Sequence, residues 1–283
     1  MEINLARSAG FCSGVKRALK IALAQARSGK KVYMLGDIVH NEDVVKQMKR
    51  LGIKKVKKMS RGKNKLFLIR AHGAPQRIFQ LAQKHGFEII DATCPMVKEI
   101  HRIAREMENK GYAIIIIGDS QHDEVAGIKG QLKKKALVIN TLQGLKPERL
   151  KQIKKAAVVV QSTQNLENTE RIVCFLEKHI QKLQFFNTIC QPTKTKQAEI
   201  KQLPLENEIV VVIGSKTSAN TRRLYEISKV LNPQTYWVRS EQELRREWFR
   251  GAKSVGVTAG ASTPHSTIIS VVNQIRRYAP AGD

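Results

Sequence analysis

Nine short apolar runs recur along the chain with amphipathic segments between them. They are Val32–Leu35, Leu66–Ile69, Glu88–Ile90, Ala113–Ile117, Leu137–Ile139, Ala157–Val160, Ile209–Ile213, Tyr236–Val238 and Val255–Val257. Runs this short and this continuous read as strands buried on both faces, and strands that alternate with helices build parallel sheets. The pattern therefore predicts an α/β protein built around parallel sheets and not a disordered chain.

The polar segments after these strands repeat. One set reads Gly36-Asp-Ile-Val-His40-Asn41-Glu42, then Gly118-Asp-Ser-Gln-His122-Asp123-Glu124, then Gly214-Ser-Lys-Thr-Ser218-Ala219-Asn220. The other reads Ala71-His72-Gly73-Ala74-Pro75, then Gln161-Ser162-Thr163-Gln164-Asn165, then Ala259-Gly-Ala-Ser262-Thr-Pro264. Two loops of each kind of unit, three times over, predict a pseudo-repeat of about 90 residues. The expected domains are 1–93 with Cys12, His40 and His72, 94–188 with Cys94, His122 and Glu124, and 189–283 with Cys190, Ser218, Asn220 and Ser262. Ligands bind at the carboxyl ends of parallel strands, so three units facing a common centre would gather all six loops around one cavity.

Each unit also carries one cysteine at the start of a helical pattern. Val15, Ala18, Leu19, Ala22 and Leu23 follow Cys12 at helical spacing, and Pro95, Val97, Ile100, Ala104 and Met107 follow Cys94. Cys190 precedes Pro192 and a more polar run to Ile200. A thiol at a helix N-terminus is held toward its thiolate form by the helix dipole and unpaired N–H groups. Separations of 82 and 96 residues rule out a local zinc knuckle. Dispersed thiolates suit an iron–sulfur cube with one iron left open, although spacing alone equally allows small buried hydrophobes. Cys174, inside Arg-Ile-Val-Cys-Phe-Leu, is expected to be such a buried residue.

The net charge is +26, with basic residues dense at Arg50–Lys65, Lys133–Lys135 and Lys146–Lys155. Such a field attracts phosphorylated substrates and acidic partners, or is simply a solvated lysine-rich surface. Aromatic residues make up only 5% of the chain and none interleave the basic runs, which disfavours nucleic acid. No apolar run nears the roughly 18 residues of a membrane span. Four cysteines without close pairs, and an N-terminus unlike a secretory signal, point to a reducing cytoplasm.

His40, His72 and His122 lie in loops directly after strands and, with Ser218, Asn220 and Ser262, form a donor set for a phosphate or diphosphate. Glu124 is the natural acid, since burial near anionic sulfur would raise its pKa. Its position also suits a carboxylate at a helix N-terminus. Ser162 and Thr163 could relay the proton or hold a substrate alcohol. His85, His101, His179 and His265 are expected to be structural.

Taken together, Gly10-Phe-Cys12-Ser-Gly14-Val, His40-Asn41, Ala71-His72-Gly73, Asp91-Ala-Thr-Cys94-Pro95, His122-Asp-Glu124-Val, Gly214-Ser-Lys-Thr-Ser218-Ala219-Asn220-Thr and Val257-Thr-Ala-Gly-Ala-Ser262-Thr-Pro264 resemble the LytB family of 4-hydroxy-3-methylbut-2-enyl diphosphate reductases. The resemblance spans nearly the whole chain in order. It implies three pseudo-symmetric α/β domains in a trefoil around a central [4Fe–4S] cluster, held by Cys12, Cys94 and Cys190. It further implies a two-electron, two-proton reductive dehydroxylation that yields isopentenyl and dimethylallyl diphosphate, the last step of the methylerythritol phosphate route. In that scheme Glu124 supplies the proton, Ser162 and Thr163 orient the alcohol, His122 belongs to the catalytic set as well as the binding set, and His40, His72, His122, Ser218, Ala219, Asn220 and Ser262 hold the diphosphate. A ferredoxin or flavodoxin would be the electron donor.

Three features depart from the family pattern. Ser162-Thr163 stands where two threonines are usual, and Ala219 stands where a second serine is, so its phosphate contact passes to the backbone or is missing. The threonine pair and arginine usual after the third cysteine become Thr193-Lys194-Thr195-Lys196. Two other functions share parts of this pattern: a quinolinate-synthase-like iron–sulfur dehydratase, which takes up no electrons, and a basic RNA-associated protein with a structural metal.

Overall fold

The computed structural model describes residues 1–143, 145 and 147–278. Lys146, which opens one of the basic runs, and residues 279–283 of the third expected domain lie outside the described residues. In chain order the elements are β1 (Glu2–Leu5), α1 (Ser13–Ala26), β2 (Lys31–Leu35), α2 (Glu42–Arg50), β3 (Lys54–Val56), β4 (Lys65–Ile69), α3 (Gln76–Lys84), β5 (Glu88–Asp91), α4 (Pro95–Asn109), β6 (Ala113–Ile117) and α5 (Asp123–Lys129). There follow β7 (Leu137–Ile139), β8 (Lys155–Val160), α6 (Leu166–Glu177), β9 (Lys182–Phe185), α7 (Gln191–Glu206), β10 (Ile209–Ile213), α8 (Ala219–Leu231), β11 (Thr235–Val238), β12 (Ser254–Ala259) and α9 (His265–Tyr278). None of these helices is long and apolar enough to cross a membrane.

All nine expected strands are present, and β1, β3 and β9 are added to them. The three additions are edge strands with mostly exposed or half-buried side chains, so no apolar run announces them. The strands form three four-stranded, fully parallel sheets in the orders β3-β2-β4-β5, β7-β6-β8-β9 and β11-β10-β12-β1. These are one topology three times. In each sheet the first strand of the repeat pairs with the second and third, the fourth pairs with the third, and a cysteine follows the fourth.

The N-terminal strand departs from the expected division at residue 93. Although it starts the chain, β1 pairs with β12, Glu2 opposite Ser254 and Leu5 opposite Val257, and so supplies the fourth strand of the third sheet. The pairing completes that sheet because β12 would otherwise leave its backbone groups open at an edge. By compactness the chain forms two units, one of Met1–Lys16, His40–Val45 and everything from Gln191, the other of Arg17–Val39 and Lys46–Cys190. The first contains the β10 sheet and the second the β2 and β6 sheets.

Central strands are sealed on both faces. Ile115, Ile116, Ile117, Val158, Val159 and Val160 have no exposed surface, nor have Val210 to Ile213. Each such side chain contributes about 1.5–3 kcal/mol by leaving water. The helical stripes read from sequence face inward: Val15, Ala18, Leu19 and Ala22 on α1, and Val97, Ile100, Ala104 and Met107 on α4, are all buried. Cys174 is a correction, since it is exposed on α6 while its neighbours Ile172, Val173 and Leu176 are buried. The helical phase that turns those three inward turns Cys174 out.

Candidate functional site

The six repeated loops are all at the carboxyl ends of strands, and their backbone geometry repeats as well as their sequence. After the third strand of each sheet a turn closes with the same hydrogen bond: Gly73 N–H to Arg70 O, Gln164 N–H to Gln161 O, and Thr263 N–H to Gly260 O, each 3.0 Å. The second residue of each turn then accepts from a cysteine. Cys94 N–H donates to Ala71 O at 2.9 Å, Cys190 to Ser162 O at 3.1 Å and Cys12 to Ala261 O at 3.2 Å. None of the three cysteines is in a disulfide, each is of intermediate burial, and each is followed at once by a helix. Cys94 is the N-cap of α4 with Pro95 in its first turn. At α1, Val15 N–H points at Cys12 Sγ, 3.5 Å away.

In the second unit, Glu124 lies in the first turn of α5 with 1% of its surface exposed. Its carboxyl accepts from Ser162 N–H at 2.6 Å and from Ser162 Oγ at 2.7 Å. Burial raises its pKa more than those two donors lower it, so the protonated acid persists to higher pH than in an exposed glutamate. Ser162 therefore joins Glu124 to Cys190: its N–H and hydroxyl serve the acid, its carbonyl the cysteine. Thr163 Oγ1 accepts from Gln161 Nε2 at 3.0 Å, which leaves its own proton to donate.

His122 caps α5, its Nδ1 accepting from Glu124 N–H at 3.1 Å. The neutral ring then carries its proton on Nε2, as a donor. The His72 ring meets that of His122 edge to face, centroids 5.4 Å apart. The next residue, Gly73, has φ +74°, and a Cβ there would stand 2.9 Å from the ring of buried His101. A larger residue would displace the turn that carries His72.

In the first unit, Ser262 Oγ donates to His40 O at 3.0 Å, which ties two of the expected site residues together. Asn41, not His40, caps α2, its Oδ1 accepting from Asp43 and Val44 N–H at 3.1 Å each. Ser218 caps α8, accepting from Thr221 N–H at 3.3 Å. Ala219 and Asn220 open that helix, so their N–H groups have no acceptor within it. Asn220 is 4% exposed and its Nδ2 meets no acceptor among the described residues. A buried amide donor without an acceptor is costly.

Sequence reasoning missed several supporting residues. Gln161, 1% exposed, accepts from Asp119 N–H at 2.9 Å and so links both loops of its sheet. Arg70 pairs with Asp123, joining the turn of His72 to the helix after His122. Thr188 holds Val160 through both its N–H (2.7 Å) and its C=O (2.6 Å), just before Cys190. Their only signal in the chain is polar character beside a motif.

The sequence profile of the LytB protein matches residues 3–276. The chain belongs to the LytB family. Among LytB relatives, the 4-hydroxy-3-methylbut-2-enyl diphosphate reductase of Aquifex aeolicus (strain VF5) is 39% identical over 280 residues, covering 98% of this chain and 96% of that protein. The reductase of Geotalea uraniireducens (strain Rf4) is 38% identical over 277 residues, 98% of each chain. A solved (E)-4-hydroxy-3-methyl-but-2-enyl diphosphate reductase, described as the terminal enzyme of the non-mevalonate pathway, superposes with a TM-score of 0.72 at 39% identity over 98% of this chain and all of that one. The Plasmodium falciparum E-1-hydroxy-2-methyl-but-2-enyl-4-diphosphate reductase shares the fold, with a TM-score of 0.88 at 24% identity over 96% of this chain and 87% of that one.

The departures from the LytB pattern find places in this geometry. Ser162 keeps the hydroxyl that meets Glu124. Ala219, having no hydroxyl, still offers the N–H of the first helical residue of α8. Lys196 is buried in α7 and donates to Ser8 O and, at 3.1 Å, to Ala259 O.

Proposed function

We propose that this protein reduces 4-hydroxy-3-methylbut-2-enyl diphosphate to isopentenyl and dimethylallyl diphosphate in the cytoplasm, with a [4Fe–4S] cluster held by Cys12, Cys94 and Cys190. The observation that carries the reading is the meeting of a buried acid and a cysteine on the single residue Ser162. The donor set fits such a cluster: three part-buried cysteines outside any disulfide, each just before a helix, one for each of the segments 1–93, 94–188 and 189–283. When bound, the cluster supplies electrons and a Lewis-acidic iron without a protein ligand.

The chain's own residues then have separable tasks. Overall, two electrons and two protons replace the allylic C–O bond by C–H and release water. Glu124 holds a proton at a carboxyl shared with the Ser162 hydroxyl. Thr163 turns its hydroxyl proton toward the substrate alcohol and fixes its orientation. His122 donates through Nε2 to the substrate diphosphate, aided by His40, His72, Ser218, Ser262, the Asn220 amide and the N–H of Ala219. Burial of Glu124 and Ser162 excludes water that would compete for the proton.

Anaerobic assay of the purified protein with reduced viologen and this substrate tests the proposal. Oxidation of two electrons per molecule of product is expected. Consumption of substrate with no electron uptake would instead indicate a dehydratase, and no reaction with an intact cluster would remove this substrate.

The physiological donor is an acidic ferredoxin or flavodoxin. Lys54, Lys57, Lys58, Arg61 and Lys63 are exposed along and after β3, with Lys55 paired to Asp37, and this mainly basic patch steers an acidic partner. Electron transfer from such a donor should slow about tenfold or more between low and physiological salt. A rate independent of ionic strength would count against this docking.

A further inference from the structure

We propose that Lys196 and Glu199 of α7 act as a positioning pair that clamps Ser8 and thereby sets Cys12; the link to the cluster rests on the reading of Cys12 as its ligand. Among the three cysteines, Cys12 has the longest approach. Two residues, Ala92 and Thr93, separate β5 from Cys94, and four, Phe186 to Ile189, separate β9 from Cys190, but six, Ala6 to Phe11, lie between β1 and Cys12. The shorter approaches are held by one residue each, Thr93 N–H to Asp91 Oδ1 at 2.9 Å and Thr188 Oγ1 on both backbone groups of Val160. A longer loop has more freedom to remove, and within Ala6 to Phe11 one backbone bond, Ala9 N–H to Ala6 O at 3.1 Å, closes a turn before Gly10.

Ser8, in the middle of that loop, is gripped at every polar atom by α7. Its N–H donates to the Glu199 carboxylate at 3.0 and 3.2 Å, and its hydroxyl to the same carboxylate at 2.5 Å. Its carbonyl accepts from Lys196 Nζ. The same ammonium donates to Ala259 O at 3.1 Å, which also accepts Gly10 N–H at 3.4 Å. Two residues later Cys12 N–H joins the turn after β12 at Ala261 O. The loop bends between these points at Gly10, whose φ of +94° a residue with a side chain rarely adopts and where a Cβ would stand 3.0 Å from the Ile268 side chain.

The internal repeat shows that these charges are special to α7. Lys196 stands six residues after its cysteine and Glu199 nine. The corresponding residues are Ala18 and Ile21 after Cys12, and Ile100 and Ile103 after Cys94. Ala18 and Ile100 are fully buried core residues, and Lys196 is buried to 2% exposure in their place. A buried ammonium is expensive unless its partners are well placed, and burial lowers the Lys196 pKa to about 8 while the carboxylate of Glu199 acts in the opposite direction. An apolar residue would fill this position as it does in the other two repeats, so the charge serves the loop.

The test is hydrogen exchange on the anaerobically purified full chain, wild type against K196M, E199Q and K196R, followed by iron release to a chelator. Exchange of the Ser8, Gly10 and Cys12 amides should quicken by about tenfold or more in K196M and E199Q, while the β10 amides keep their protection. Iron should leave both variants several-fold faster, and K196R, which preserves the cation, should restore most of both properties. Unchanged exchange at these amides in both variants would overturn the clamp. Loss of protection throughout β10 would make the pair a folding element instead and overturn its positioning role. Faster exchange with unaltered iron release would overturn the link to Cys12. A wild-type chain that takes up no iron sinks the cluster reading of the preceding subsection, while the exchange comparison still decides whether the clamp exists.

Discussion

Glu124→Gln is expected to lower turnover by about 100- to 10,000-fold with the fold and iron content retained. Glutamine has nearly the same shape, and its amide satisfies both contacts of the site. Its carbonyl accepts from Ser162 N–H, and its NH2 donates to Ser162 Oγ. What it lacks is a transferable proton. A variant that kept both its cluster and full turnover would remove Glu124 from the acid role.

The same substitution has a pH signature with a definite sign. Because burial raises the folded pKa of Glu124 above its unfolded value, the native state binds more protons than the unfolded state between the two. The contribution of the protonated group to stability is therefore complete below the unfolded pKa and lost as pH rises through the folded one. Denaturant unfolding at pH 5 and pH 8 should show the difference between Glu124→Gln and wild type moving in favour of the variant at the higher pH. A constant difference would mean that the buried carboxyl does not titrate differently on unfolding.

Replacing Cys12, Cys94 or Cys190 by serine, one at a time, is expected to reduce bound iron and turnover by more than about 100-fold, since loss of outer partners of a metal site alone costs about 10–100-fold. The sulfur is the only part altered. The main-chain bonds to Ala261, Ala71 and Ser162 remain, so far-ultraviolet circular dichroism should be unchanged. Cys174→Ser, on the exposed face of α6, should retain iron and turnover. A serine variant at any of the three positions that held its iron and worked normally would return that cysteine to a structural role.

What the chain determines by itself is whatever depends on neighbours in sequence. The doubly buried strands are visible because four or five apolar residues in a row have no other soluble use, and β6 and β10 are such runs. The helices after Cys12 and Cys94 are visible because their apolar positions share one stripe. The polar segments at strand ends show in their threefold recurrence, and His122, Glu124, Ser162 and Ser218 all prove to sit where that recurrence puts them, at the carboxyl ends of strands or in the first turn of the next helix.

Tertiary structure alone decides what depends on pairing across the chain. The edge strands β1, β3 and β9 are polar or half exposed, and only a neighbouring strand's open hydrogen bonds select them. For that reason the repeat is cut within one unit, with β1 completing the sheet of residues more than 200 positions away. Burial of Glu124 follows from a serine 38 residues on, and burial of Lys196 from a loop 188 residues earlier. Local sequence records that a residue is charged, but the desolvation that makes the charge useful comes from atoms that only the folded chain brings near.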